Sequence, residues 1–180
     1  MTRIIAGARG GRRIETPKGD GTRPTSDRVR EALFSSLESE LGGLDDLVVL
    51  DLFAGSGALG LEALSRGAAT AVFVESDAKA AATITRNLAT LDVSGRVART
   101  TAARYLSTAP VGEFDLVFLD PPYVVETSAV AELVSAVRPA LATDALIVVE
   151  RSTRDQFLWP EGIEPLRHKA YGETTLWYGH

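Results

Sequence analysis

The chain reads as an α/β protein built on a mostly parallel sheet with helices on both faces. From Leu47 onward apolar, β-branched runs alternate with segments of helical spacing. Those runs are apolar at successive positions, so both of their faces must be covered. Two of them end in short polar loops, Asp51-Leu52-Phe53-Ala54-Gly55-Ser56-Gly57 and Asp120-Pro121-Pro122-Tyr123. In such sheets ligands bind at the carboxyl ends of strands, near the switch in strand order.

The elements follow in order. Arg3-Ile4-Ile5-Ala6 and Arg12-Arg13-Ile14-Glu15 flank a Gly-Ala-Arg-Gly-Gly stretch and predict a small hairpin. Residues 17–24, rich in Gly and basic residues, predict a loop. Thr25, Ser26 and Asp27 are candidate N-caps for a helix through Val29, Leu33, Phe34, Leu37 and Leu41, closed by Gly42-Gly43. Strands are then expected at 47–53, 70–75, 96–100, 114–119 and 145–150. Helices are expected at 58–66, from Asp77 to about residue 91, briefly after residue 100, and at 128–138 ahead of Pro139. Residues 163–168 and 174–178 around Gly172 predict a closing antiparallel pair, with Trp177 and Tyr178 as packing residues and His168 and His180 as structural or surface groups.

Composition narrows the function. With 180 residues, 45% of them hydrophobic, the chain can bury a full core. There is no cysteine, so no disulfide or thiol nucleophile exists and zinc lacks its commonest ligands; no metal site is expected. No apolar run approaches the roughly 20 residues of a membrane span, and Met1-Thr2-Arg3 is not expected to open a signal peptide. A cytoplasmic monomer is the expectation. The net charge of −5 hides an asymmetry: residues 1–30 carry +5 and the rest −10. A basic arm on an acidic body steers a polyanion to one place.

The first loop contains Gly55-Ser56-Gly57-Ala58-Leu59-Gly60, which fits G-x-G-x-x-G and by itself is compatible with a dinucleotide. Asp51 argues against a pyrophosphate there, since like charges about 4 Å apart at a dielectric near 20 repel by roughly 4 kcal/mol. The same carboxylate favours a cofactor carrying an ammonium and a sulfonium, such as S-adenosylmethionine. Glu75, at the end of the second strand, is placed to accept from two ribose hydroxyls. In the second loop, Asp120 and the Pro121 carbonyl, stiffened by Pro122, can accept the N–H bonds of an exocyclic base amine. Tyr123 offers a stacking face for a flipped base, worth about 1–3 kcal/mol. Methyl transfer to a nucleobase nitrogen is the chemistry these groups suit.

With these motifs the chain resembles a class I S-adenosylmethionine-dependent methyltransferase of the amino-group branch. More narrowly it is similar to the bacterial 16S rRNA guanine-N2 methyltransferase family, through Arg3-Ile4-Ile5-Ala6-Gly7, Gly11-Arg12 and the run from Thr22 to Phe34 (TRPTSDRVREALF). The resemblance covers nearly the whole chain. It implies a Rossmann-like sheet with one antiparallel strand near the C-terminus, a 1–24 RNA-binding hairpin and loop, and a 25–180 catalytic domain. It also implies N2-methylation of one guanine in 16S rRNA, within the small ribosomal subunit or an assembly intermediate. By position, Asp51, Phe53, Gly55, Ser56, Gly57, Glu75 and Thr25 would hold the cofactor, and Asp120, Pro121, Pro122 and Tyr123 the guanine. Arg3, Arg9, Arg12, Arg13, Arg23, Arg28 and Arg30 are the RNA-contact candidates. The family often has a polar or acidic residue after the third strand for the cofactor adenine; here Thr100-Thr101-Ala102-Ala103-Arg104 assigns none. Alternatives are a DNA or other RNA amino-methyltransferase of the adenine N6 type, a nicotinamide-dependent oxidoreductase, and a non-catalytic RNA-binding module.

Overall fold

Strands that are apolar on both faces need two covers, and the chain supplies them from separate stretches. The computed structural model describes residues 1–17 and 26–180. Two short strands, β1 (Thr2–Arg3) and β2 (Arg13–Ile14), pair antiparallel with Thr2 opposite Ile14. The main sheet holds β3 (Val48–Leu52), β4 (Thr70–Val74), β5 (Arg96–Ala98), β6 (Phe114–Leu119), β7 (Leu141–Ser152), β8 (Pro165–Tyr171) and β9 (Thr174–Gly179). Their order is β5-β4-β3-β6-β7-β9-β8, and β9 alone runs against its neighbours β7 and β8. This is the Rossmann-like arrangement expected, with the order reversing between β3 and β6.

Helices α1 (Asp27–Leu41), α2 (Ala58–Ser65) and α3 (Ala78–Leu91) cover one face, sharing a core with Val49, Phe73, Phe118 and Val148. Helices α4 (Ala102–Leu106) and α5 (Thr127–Val137) cover the other, against Leu50, Leu52, Val117 and Val149. Successive strand residues alternate between the two cores, as the pleat requires. The boundaries have local causes. Ser26 caps α1 by accepting the Val29 N–H, Gly42 closes it at φ 73°, and Asp77 caps α3 by accepting the Ala80 N–H at 2.8 Å.

Strand β7 is longer than the 145–150 expected. Its register on β6 jumps from Phe114–Leu141 to Leu116–Leu146, around Asp144 at φ 60°. The irregularity lets residues 142–144 stay in a strand that their sequence does not advertise.

The basic arm is fastened to the sheet cover by buried polar groups. Ile4 and Ile14 enter the core beside α1 to α3. Glu62 of α2, fully buried, accepts the N–H groups of Ile5 (2.7 Å) and Ala6 (3.0 Å) and pairs with Arg66 Nε at 2.8 Å. Arg66 also reaches Glu38 of α1 at 3.1 Å, and its guanidinium lies over the Phe34 ring. Gly7 approaches so closely that a Cβ there would fall 1.9 Å from the Ser65 carbonyl oxygen. Among the described residues no helix is long and apolar enough to cross a membrane.

Glu62→Ala strands the buried Arg66 charge and two arm N–H groups together. It is expected to cost about 3–5 kcal/mol in urea unfolding; a loss below about 1 kcal/mol would show that the arm docks by its apolar residues alone.

Candidate functional site

The β3–β6 register sets the site. Leu52 lies opposite Leu119 in parallel pairing, so the loop after β3 and the corner after β6 leave the sheet side by side at the switch point. The two segments singled out in the sequence therefore share one crevice.

The loop after β3 takes left-handed backbone at alternate residues: Phe53 (φ 62°), Gly55 (φ 57°) and Gly57 (φ 81°). Glycine adopts this at no steric cost, whereas Phe53 holds it against a strain of about 1–3 kcal/mol. Fixed partners maintain the shape. Ala54 donates to the Val74 carbonyl, Gly55 to Glu75 Oε2 at 2.8 Å, and Gly57 to the Ala54 carbonyl at 2.7 Å. Glu75 Oε1 accepts from the Asp77 N–H at 2.8 Å, so each oxygen is anchored once and keeps a further lone pair.

Asp51 is 1% exposed, and its Oδ2 accepts the Gly60 N–H at 3.0 Å. The carboxylate thus pins the first turn of α2. Gly60 itself must be glycine, since a Cβ would fall 2.4 Å from the Phe73 ring. Burial pushes the Asp51 carboxyl up to about 7; the Gly60 bond opposes this and the charge of Glu75 adds to it. The full negative charge expected of Asp51 therefore depends on a cation nearby, because burial alone leaves it partly protonated at neutral pH.

Across the crevice, Asp120 is half-buried, Pro121 buried and Tyr123 41% exposed. The Pro122 carbonyl accepts the Val125 N–H at 2.9 Å, which turns the chain and leaves the Pro121 carbonyl outside that turn. Tyr123 Oη meets Thr174 Oγ1 at 2.9 Å, so the first residue of β9 fixes the ring. Val124, 90% exposed, adjoins it. Glu150, passed over in the sequence, is buried on the same rim: it follows Val149, the partner of Leu119. The sign was available, since Glu150 ends an apolar run just as Asp51 and Asp120 do.

The arginine candidates divide. Arg30 is 1% exposed and donates to Asp27 (2.7 Å), Thr2 Oγ1 and the Arg3 carbonyl, which corrects its place among the RNA contacts: its guanidinium ties α1 to the arm. Its spacing to Leu33, Phe34 and Leu37 puts it on the buried stripe of α1, a signal the charge count hides. Arg9 donates to the carbonyls of Leu91 and Asp92, and Arg12 to those of Thr90 and Leu91. Both complement the negative end of α3. Arg3 pairs with Asp27 at 3.0 Å on the surface, while Arg13 and Arg28 are exposed with no ion pair among the described residues. Arg23 and Thr25 lie outside the described residues, as do most of the 17–24 loop and the Thr25 cap candidate.

The chain is similar to known proteins over most of its length. The family model described as Conserved hypothetical protein 95 matches residues 2–180. Ribosomal RNA small subunit methyltransferase D of Escherichia coli (strain K12) is 42% identical over 151 residues, spanning 82% of this chain and 73% of that one. The protein of the same name from Haemophilus influenzae is 37% identical over 174 residues, 94% and 89% of the two chains. The solved structure of a hypothetical protein from Thermus thermophilus superposes with a TM-score of 0.83 at 30% identity, covering 99% and 98%.

The raised Asp51 carboxyl has a direct consequence. Ionisation inside the fold costs nothing below the ordinary value of 3.8, the cost builds as pH rises toward 7, and it is complete above. Asp51→Asn keeps an oxygen for the Gly60 N–H and removes that cost. Its unfolding free energy should match the parent near pH 4 and exceed it at pH 8, and an equal gap at both values would refute the assignment.

Proposed function

The chain belongs to the Conserved hypothetical protein 95 family, and on that footing we propose that it transfers a methyl group from S-adenosylmethionine to the exocyclic N2 of a guanine in 16S rRNA. The observation that carries this reading is the β3–β6 register, which sets a glycine loop and an Asp-Pro-Pro-Tyr corner on one crevice. The names of the Escherichia coli and Haemophilus influenzae relatives support small-subunit rRNA as the class of substrate. The protein would act in the cytoplasm as a monomer, on the small subunit or an assembly intermediate.

The groups present fit the cofactor. The first turn of α2 presents backbone N–H groups to a carboxylate, buried Asp51 answers an ammonium, and the doubly anchored Glu75 answers a ribose diol. Ammonium binding would hold Asp51 ionised, offsetting the burial that raises it. When bound, the cofactor supplies a methyl group made electrophilic by its sulfonium. A purine amine is a weak nucleophile because its lone pair is delocalised into the ring. Asp120 and the Pro121 carbonyl accept its N–H bonds and favour a pyramidal nitrogen; Tyr123, its ring fixed by Thr174, takes the base by stacking. As positive charge develops on the acceptor nitrogen, Asp120 would take the proton that the nitrogen loses. Orientation and electrostatics supply the rate. The RNA surface is carried by the exposed arginines Arg3 and Arg13 of the arm and Arg28 of α1, with Arg9 and Arg12 shaping the arm.

The adenine N6 alternative shares the same corner, and the product separates the two. Labelled S-adenosylmethionine is incubated with undermethylated small subunits, naked rRNA and DNA, followed by digestion to nucleosides. N2-methylguanosine from rRNA is expected, and N6-methyladenine would overturn the reading. Asp120→Ala should lower turnover by about a hundredfold or more while leaving the cofactor Kd within about twofold; unchanged turnover removes Asp120 from the chemistry. Replacing Arg13 and Arg28 together should flatten the salt dependence of RNA binding by roughly 0.7–0.9 per lost phosphate contact, whereas an unaltered slope would place the RNA elsewhere.

A further inference from the structure

One buried side chain joins the basic arm to the cofactor loop. Asn87, in the third turn of α3, is 1% exposed and spends its amide on two distant segments. Its Oδ1 accepts the Glu15 N–H at 2.8 Å, and its Nδ2 donates to the Glu15 carbonyl at 2.9 Å and to the Ser56 carbonyl at 3.0 Å. The orientation of the amide is forced, since one partner is a donor and two are acceptors. Glu15 directly follows β2, and its carboxylate also meets Arg86 of α3 at 3.0 Å.

At the loop end the consequence is geometric. The Ser56–Gly57 peptide is held on both sides, its carbonyl by Asn87 and its N–H by the Ala54 carbonyl. It lies between two left-handed glycines, where the backbone has few other restraints. Removing the Asn87 donor leaves a partly buried carbonyl without this partner unless the peptide turns. That rotation would move the backbone assigned above to the cofactor. At the arm end the same amide secures the exit of β2, while Arg9 and Arg12 grip the last carbonyls of α3 one turn further along.

We infer that Asn87 is a positioning residue that couples the N-terminal arm to the cofactor loop, so that RNA held by the arm and S-adenosylmethionine held by the loop strengthen each other's binding. This rests on the cofactor and RNA reading above. Linkage is reciprocal: whatever orders the loop also orders the arm, by the same factor. The amide is the physical element both sites share.

The test is a double-mutant cycle on the full chain, read as the calorimetric Kd for S-adenosylmethionine. Asn87→Ala should raise Kd about tenfold, and Arg9→Ala with Arg12→Ala, which loosens the arm from α3, should raise it several-fold. Combined, they should do no more than Asn87→Ala alone. Multiplying effects, or a parent-like Kd in Asn87→Ala, would overturn the coupling. Hydrogen exchange on the parent protein covers a variant that does not fold: S-adenosylmethionine should slow exchange in residues 13–17 as well as 53–60, and protection confined to 53–60 refutes the proposal. Failure of the parent to bind S-adenosylmethionine at all would instead refute the cofactor assignment.

Discussion

Parallel pairing of β3 with β6 is the constraint on which the site depends. These two strands are neighbours in space but far apart in sequence, because the chain fills one side of the sheet before starting the other. Their loops must diverge to opposite covers, and a crevice opens between them whatever their sequences. The chain then loads that crevice with acids. Asp51, Glu75, Asp120 and Glu150 each stand at or just beyond the end of an apolar strand run. A nucleic acid approaching this rim meets repulsion unless a cation lies in it, which supports the proposal that S-adenosylmethionine binds there.

Buried charges do different work elsewhere in the molecule. Arg30, Glu62 and Arg66 lie in the interface between the sheet cover and the arm, and each is matched to backbone groups or an opposite charge. Such groups cost desolvation energy that an apolar contact would not, but they fix one register for a segment with few apolar residues. The arm has Ile4 and Ile14 as its buried hydrophobic anchors. Polar partners supply the orientation that two isoleucines cannot.

Much of this was legible in the residues. Apolar runs located the strands, and an acid or glycine after each run located the crevice. Ser26 and Asp77 were readable as caps because their side chains act within three residues. What escaped were partnerships across long separations. Charge counting treats Arg9, Arg12, Arg13 and Arg30 alike, yet two grip a helix end, one is buried and one is exposed. Asn87 and Arg30 did leave a trace: each occupies a position where helical spacing demands an apolar residue, beside Ile84, Leu88 and Leu91 in one case and Leu33, Phe34 and Leu37 in the other. A polar group in such a stripe must have a partner, though the pattern does not say which. The candidate role of Asp51 as a cation acceptor was readable, but its use as a helix anchor, through the Gly60 N–H, has no signature in sequence.

The bonds from Ile5 and Ala6 to Glu62, and from Arg9 to Leu91, also bear on how the chain is made. During translation the basic segment is made before its anchors, since the partners of Ile5 and Arg9 are 57 and 82 residues behind them. Closing loops of that length requires the intervening strand–helix units to form beforehand. The arm accordingly cannot settle before α3 is in place, and until then its arginines lack the helix end that later restrains them.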